Sequence, residues 1–156
     1  MKGVGEEMAD RSLIGKETPP GRAEAKAEEM IAFARAVGDD RPEYVDEAAA
    51  KAAGFKGLIA PPTFPMRFLF DALDPDLFFE LGLNLAGIVH AEQEFIYERP
   101  VVAGEKYVIT GKLHDIYEKE DKSGILDFVT FEAKGFEEKK HEHVFTARMT
   151  LISKRG

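Results

Sequence analysis

The sequence predicts an α+β fold, with helices in its first half and an antiparallel sheet in its second half. Between residues 28 and 81, apolar residues recur at helical spacing, and the runs end at Gly or before Pro. From Gly87 onward the period changes to two and holds through four runs of strand length. Helices that precede a run of strands are typical of the α+β class.

The composition fits one globular domain and disfavours several kinds of partner. A length of 156 residues is enough to bury a sizeable core. The net charge of -8 disfavours nucleic acid or a membrane as the main partner, and no stretch approaches a membrane span. The absence of cysteine excludes disulfides and a thiol nucleophile. We therefore expect a cytoplasmic protein without a nucleic-acid or membrane partner.

The first half of the chain is predicted to alternate short elements with turns. Residues 1–11 are charged and are expected to be loose, so that residues 12–156 form the single domain. Residues 18–21, Thr-Pro-Pro-Gly, predict a turn, and residues 22–26 a short strand. The remaining predictions are a helix over 28–37 that Gly38 stops, and a helix over 47–53 with Asp46 as its N-cap.

The most apolar segment predicts the buried helix around which the sheet curls. This segment covers residues 64–73, where Thr63 is a candidate N-cap and Pro65 is tolerated in the first turn. A further turn of helix is expected over 76–81. The large apolar side chains of this region are expected to form core or to line an acyl tunnel; they are Met66, Phe68, Leu69, Phe70, Phe78 and Phe79.

Strands are predicted from Gly87 to the end of the chain. Strict alternation places Gln93 on one face of the first strand and His90 on the other, together with Glu92 and Glu94. The later strands are expected at 106–117, 125–136 and 142–153. Their short charged connections predict that these three are antiparallel neighbours.

Two blocks of the chain carry a resemblance to a known family. The stretch from Gly38 to Ile59 matches a signature at Gly38, Asp39, Pro42, Asp46, Ala50, Gly54, Phe55 and Ile59. A second block reads HAEQEFIYERP over residues 90–100 and is followed by Gly104-Glu105. Together they resemble the MaoC-like dehydratase N-terminal domain family of (R)-specific enoyl hydratases and 3-hydroxyacyl-thioester dehydratases. The resemblance implies a hot-dog fold, an antiparallel sheet wrapped around a central helix, and pairing of two such units through their sheets.

The resemblance also implies a catalytic arrangement from which this chain departs. In the family an Asp and a His five residues later share one water, and a backbone N–H near a helix start holds the thioester oxygen. Here Asp39 stands at the Asp position, Tyr44 at the His position and Pro61-Pro62 at the His-Gly pair. A tyrosine of pKa about 10 is a poor base at neutral pH, and Pro62 has no N–H to donate. The Ala-Pro-Pro-Thr-Phe sequence is similar to that of subunits that shape the acyl channel beside a catalytic sister subunit.

Three residues are candidates for catalysis, each with a structural alternative. Asp39 would position a water or simply accept backbone hydrogen bonds in its turn. Tyr44 would contact the ligand or pack as an aromatic side chain. His90 would supply an acid/base group, since histidine ordinarily titrates near ~6.5, or would lie inert at a dimer seam. The candidate substrate-binding residues are Pro62, Thr63, Phe64 and Gln93.

The function expected from the resemblance is hydration or dehydration of enoyl and 3-hydroxyacyl thioesters of coenzyme A or acyl carrier protein. The chain would act either as the binding subunit of a heterodimer with a catalytic MaoC-like subunit, or as a homodimer that uses Asp39, His90 and Tyr44. The alternatives are a non-enzymatic acyl-thioester binder and a thioesterase with Asp71 or Asp74 as base. Gly-rich phosphate loops, Cys/His constellations and Ser nucleophile motifs are absent, so neither a cofactor nor a metal is expected.

Overall fold

The computed structural model describes residues 8–72 and 74–155, without the side chains of residues 71 and 72. Within the segment expected to be loose, residues 1–7 lie outside the described residues. Ala9 is buried, and a single 3-10 turn covers Arg11–Leu13. The start of the domain at residue 12 stays a prediction.

The described chain contains five α-helices and five strands, in the predicted order of helices before the main sheet. The helices are α1 Ala27–Ala36, α2 Pro42–Val45, α3 Glu47–Ala52, α4 Met66–Ala72 and α5 Pro75–Glu80. The strands are β1 Glu17–Glu24, β2 Ile88–Tyr97, β3 Lys106–Asp121, β4 Gly124–Glu137 and β5 Glu142–Lys154.

The strands form one antiparallel sheet in the order β1-β3-β4-β5-β2. The three long strands β3, β4 and β5 are neighbours, as their short connections predicted. β1 and β2 are the two edges. The α+β class predicted from the sequence is confirmed.

The turn predicted at residues 18–21 is wrong, because this segment belongs to β1. Glu17 and Thr18 pair with Lys112 and Gly111, and pairing resumes at Gly21 opposite Ile109. The shift in register between Thr18 and Gly21 absorbs the two prolines, which cannot donate to the ladder. Prolines are tolerated here because β1 is an edge strand.

Strict alternation on β2 is also wrong, because the strand carries a bulge. His90 pairs with Leu151, Glu92 pairs with Thr150, and Ala91 between them has no partner in the register. Gln93 pairs with Met149, and both Leu151 and Met149 belong to the same core cluster. Since paired residues of antiparallel strands point to the same side, His90 lies on the helix-facing side with Gln93 instead of the opposite side.

The core lies between α4 and the sheet. Phe68 and Leu69 of α4 are buried, and Phe68 stacks on Tyr107 of β3 with ring centroids 5.7 Å apart. Phe145 of β5 completes this aromatic cluster and is fully buried. Two of the expected core residues are exposed instead, Phe70 by 66% and Phe79 by 69%. The helix begins at Met66, two residues later than predicted.

Candidate functional site

The turn after α1 positions the candidate catalytic residues. Gly38 ends the helix in the left-handed region at φ 74°, which strongly favours glycine. The Asp39 N–H then donates to the Ala34 carbonyl at 2.9 Å. Pro42 occupies the first turn of α2, a helix that the sequence did not predict, and its fixed φ suits that position. This single helical turn brings Tyr44 against Ala34 and Ile59 in a small buried cluster.

Asp39 is held by Arg41 and not by a water-sharing histidine. Arg41 Nε donates to Asp39 Oδ1 at 2.8 Å, and Nη2 donates to Oδ2 at 2.9 Å. This bidentate pairing lowers the pKa of the Asp39 carboxyl below its ordinary value. The carboxylate is therefore ionised at neutral pH, and both of its oxygens are engaged by the guanidinium. That arrangement makes it a weak base.

Tyr44 lies under the same guanidinium. Arg41 Nη2 donates to the Tyr44 hydroxyl at 2.7 Å, and its guanidinium carbon lies 4.6 Å from the ring centroid. The ring is only 5% exposed. Burial raises the pKa of Tyr44 above its ordinary value. The phenol therefore stays neutral at physiological pH and can act as a hydrogen-bond donor but not as a base.

A cleft of about 350 Å³ opens beside Tyr44, between the segment from Ile59 to Pro62 and the end of β2. Its size falls in the range of small-molecule sites. Its lining is mostly apolar, and its polar groups are two tyrosine hydroxyls, the Arg99 guanidinium and the Glu98 carboxylate. The residues that define it best are Tyr44, Ile59, Pro62, Tyr97, Arg99 and Val101.

The candidate substrate-binding residues 62–64 have different environments. Pro62 lines the cleft, and its carbonyl accepts a hydrogen bond from the Tyr97 hydroxyl at 2.5 Å. Thr63 is exposed in the following turn, where its carbonyl accepts from the Met66 N–H. Phe64 is fully buried and packs edge-on against Phe68, at 5.4 Å between ring centroids. The structure thus places Pro62 in the cleft, Thr63 at the surface and Phe64 in the core.

The structure does not bring His90 to this cleft. Tyr97 at the end of β2 lines the cleft, and His90 lies seven residues earlier on the same strand. At about 3.3 Å per residue the two are separated by roughly 20 Å. His90 is exposed near the edge of the sheet. Gln93 is half-buried between them, and its side-chain oxygen has no hydrogen-bond partner among the described residues.

Arg99 lies in the wall of the cleft and is held there by several hydrogen bonds. Its guanidinium donates to Glu105 at 2.8 Å, to Glu142 at 3.1 Å and to the Pro100 carbonyl at 3.1 Å. Glu105 also accepts from the Tyr107 hydroxyl at 2.5 Å. The network fixes the loop between β2 and β3 that forms this wall.

Arg41 and Tyr97 are the two residues of the site that the sequence did not single out. Position 41 is not one of the matched positions of the signature. The sequence therefore did not indicate that Arg41 forms an ion pair with Asp39. Tyr97 lies within the second block of the resemblance, where it was given no role. Its hydrogen bond to the Pro62 carbonyl depends on how the turn at Pro62 packs against β2, which the sequence does not show.

A larger cavity of about 440 Å³ lies elsewhere, between α4 and the β1–β3 pair. Its rim carries ion pairs between Arg22 and Glu138 and between Arg67 and Glu29. The cleft beside Tyr44 is the better candidate site, because it and not this cavity is lined by residues of the signature stretch, Tyr44 and Ile59. In the described part of the chain no cluster of three or more potential metal ligands occurs, and no helix is long and apolar enough to cross a membrane.

Comparison with known proteins identifies the family. The family described as "FAS1-like, dehydratase domain region" matches residues 12–147. The chain belongs to this family. Among its relatives, this dehydratase-family domain is 36% identical over 151 residues to a UPF0336 protein of Streptomyces avermitilis, covering 93% of this chain and 95% of that protein. It is 38% identical over 152 residues to a UPF0336 protein of Streptomyces coelicolor, with the same two coverages of 93% and 95%.

Solved structures confirm the hot-dog fold expected from the resemblance. A C-terminally truncated HadBC (3R-hydroxyacyl-ACP dehydratase) complex from Mycobacterium tuberculosis contains a chain 29% identical to the domain, with a TM-score of 0.74. That match covers 90% of this chain and 97% of the other. A MaoC-like dehydratase is 25% identical with a TM-score of 0.80, over 94% of this chain and 43% of that longer chain.

Proposed function

We propose that this dehydratase-family domain is the acyl-thioester-binding subunit of a heteromeric hydratase/dehydratase. In that assembly a second hot-dog subunit carries the Asp–His pair. The substrates are enoyl and 3-hydroxyacyl thioesters of coenzyme A or acyl carrier protein. The observation that carries this proposal is the cleft beside Tyr44, which has the size of a ligand site but lacks the groups that the reaction needs.

Hydration of an enoyl thioester requires a base for the water, an acid for the carbon and a donor for the thioester oxygen. Asp39 is engaged on both oxygens by Arg41, and Tyr44 is a neutral phenol. Pro62 has no N–H where the family has a glycine donor. Glu98 also lines the cleft, but its side chain is 63% exposed and therefore hydrated. This combination supports binding without turnover.

The similar chain from Mycobacterium tuberculosis supports the heteromeric part of the proposal, since it belongs to the HadBC (3R-hydroxyacyl-ACP dehydratase) complex. The edge strand β2 also supports it. Among the described strands it pairs only with β5, and its side chains Val89 and Ile96 are 58% and 45% exposed. An unpaired apolar edge is suited to pairing with another sheet.

A homodimer that is active by itself remains the competing version of the same function. It would need Asp39 and His90 in one site. Because about 20 Å of strand separates His90 from the cleft of its own chain, such a site would have to take His90 from the partner. Alanine substitution of each residue separates the two versions.

The test measures hydration of a panel of short and long trans-2-enoyl-CoA thioesters, followed by loss of the conjugated absorbance. The purified chain alone is expected to bind the thioesters without turnover. Turnover is expected when a hot-dog protein that co-purifies with it and carries an Asp–His pair is added. In that active complex, His90→Ala is expected to leave the rate unchanged. Asp39→Ala, which leaves the Arg41 charge uncompensated beside Tyr44, is expected to weaken thioester binding without abolishing turnover.

Three results would contradict the proposal. Turnover by the chain alone, abolished by Asp39→Ala, would establish the self-sufficient version. Binding without turnover in every complex would identify a non-enzymatic thioester binder. Release of free thiol, followed with a thiol reagent, would identify a thioesterase. In the structure Asp74 caps α5 by accepting from the Asp76 N–H. The Asp71 side chain lies outside the described residues, and its role as a thioesterase base stays a prediction.

A further inference from the structure

The Tyr44 hydroxyl does not use its own proton in a hydrogen bond within the described residues. Its oxygen accepts a hydrogen bond from Arg41 Nη2 at 2.7 Å. Arginine has no acceptor, so the direction of this bond is fixed. No other hydrogen bond of the Tyr44 hydroxyl occurs within the described residues. Its O–H is therefore left to donate into the cleft that Tyr44 lines.

The hydroxyl of Tyr97 differs, because its proton is already used in a hydrogen bond. It donates its proton to the Pro62 carbonyl at 2.5 Å, and a carbonyl can only accept. Its oxygen retains lone pairs that can accept a hydrogen bond from a ligand. Tyr97 lines the same cleft as Tyr44. The cleft thus offers one donor and one acceptor.

The charge around Tyr44 selects a neutral partner for the donor. The Arg41 guanidinium is neutralised by its bidentate pair with Asp39, so the cluster carries no net charge toward the cleft. Hydrogen bonds in a chain polarise one another, so the bond from Arg41 makes the Tyr44 O–H a stronger donor. The adjoining walls are apolar, from Ile59, Ala60 and Val101. Arg41 is paired with Asp39, and Arg99, which also lines the cleft, is paired with Glu105. A carboxylate would therefore lose its hydration here without gaining an unpaired cation, whereas a carbonyl would gain a donor at little cost.

We propose that Tyr44 and Tyr97 are the specificity-determining pair of the cleft. Tyr44 donates to the thioester carbonyl oxygen, and Tyr97 accepts from an amide N–H of the carrier arm. This inference rests on the proposed thioester-binding function and deepens it. It assigns to a phenol the contact that Pro62 cannot make, and it predicts a preference for neutral thioesters over free carboxylic acids.

The experiment compares two ligands that differ only at the carbonyl. Acyl-CoA and the alkyl-CoA thioether of equal chain length are titrated into the purified chain, or into its complex, by calorimetry. The wild type is expected to bind the thioester about 5- to 10-fold more tightly, the value of one hydrogen bond of about 1 kcal/mol. Tyr44→Phe keeps the buried ring and is expected to remove this preference while leaving thioether affinity unchanged.

Tyr97→Phe provides the matched variant, because the amide contact is common to both ligands. It is expected to weaken thioester and thioether binding by a similar factor and to preserve the preference. Equal binding of the two ligands by the wild type would overturn the donor role of Tyr44, even if thioesters bind. Failure of both ligands to bind would overturn the thioester function itself. The wild-type comparison requires no variant to fold, so it can overturn the donor role by itself, and Tyr44→Phe assigns a preference to Tyr44.

Discussion

Replacing Gly135 by Ala is expected to destabilise the fold strongly, because β4 passes very close to the ring of Phe145 at this position. The two residues are cross-strand partners on β4 and β5, beside a shift in the register. A Cβ at Gly135 would lie 2.2 Å from Cε1 and 2.5 Å from Cζ of Phe145. Since carbon atoms in contact are about 3.5–4.0 Å apart, the ring or the strand must move by roughly 1 Å.

The ring has no free space into which to move. Phe145 is fully buried. Its ring centroid lies 6.2 Å from that of Tyr97, 6.4 Å from that of Phe68 and 6.5 Å from that of Tyr107. Overpacking of a core costs about 1–3 kcal/mol, and the lack of relaxation places Gly135→Ala at about 3 kcal/mol. With a urea m-value of about 2 kcal/mol per M, the midpoint should fall by about 1.5 M.

Urea unfolding followed by far-ultraviolet circular dichroism measures the effect. Gly57→Ala is the matched control, since its Cβ would meet Val102 at an ordinary 3.5 Å. It is expected to change the free energy of unfolding by less than about 1 kcal/mol. Phe145→Leu in the Gly135→Ala background should recover part of the loss. Equal midpoints for the two glycine variants would refute the reasoning, because the aromatic cluster would then yield to a methyl group without strain.

Two further predictions concern single carboxylates. Asp46 accepts from the N–H groups of Ala48 and Ala49 at 2.8 and 3.0 Å, so Asp46→Ala should lower the free energy of unfolding by about 1 kcal/mol in the same urea assay; an unchanged midpoint would contradict its role as N-cap. Burial alone would raise the pKa of Glu132, but hydrogen bonds from Arg148 and Lys112 outweigh it and lower the pKa below 4.5. The stability from this group is present above about pH 4.5 and is lost as pH falls through the lowered value. Glu132→Gln should cost about 1–2 kcal/mol at pH 7, because both cations are partly exposed and rehydrate, and it should flatten the acid limb of a stability–pH curve. Glu47→Gln, an exposed pair with Lys51, should leave that curve unchanged, and an acid limb equally steep in Glu132→Gln and wild type would exclude the assignment.

Much of the fold could be predicted because its signals are local. The N-cap at Asp46, the stop at Gly38 and the period of two in the long strands each depend on neighbouring residues. The errors came where tertiary pairing overrides local preference. Two prolines sit in β1 because it is an edge, and the bulge at Ala91 moves His90 to the other side of β2. Neither composition nor periodicity predicts a bulge residue without a cross-strand partner.

The sequence predicted the turn that carries the candidate site but not the contacts that its side chains make. The positions of Asp39 and Tyr44 followed from the signature, and the absence of a donor at Pro62 followed from the chemistry of proline. The ion pair from Arg41 and the hydrogen bond from Tyr97 to the Pro62 carbonyl are made between side chains and turns that fold together. These contacts, and the distance of His90 from the cleft, required the structure.

The turn at Gly38 shows that the shape of a catalytic motif can be held by different chemistry. In the family an Asp and a His face one water, whereas here Arg41 joins Asp39 to Tyr44 by three hydrogen bonds. A bidentate guanidinium–carboxylate pair is rigid and directional, so the turn is preserved. The same pair removes the carboxylate as a base and leaves a phenolic proton pointing at the cleft. This arrangement supports the proposed role in ligand recognition, because a binding subunit beside a catalytic partner needs a ligand contact and not a base at this position.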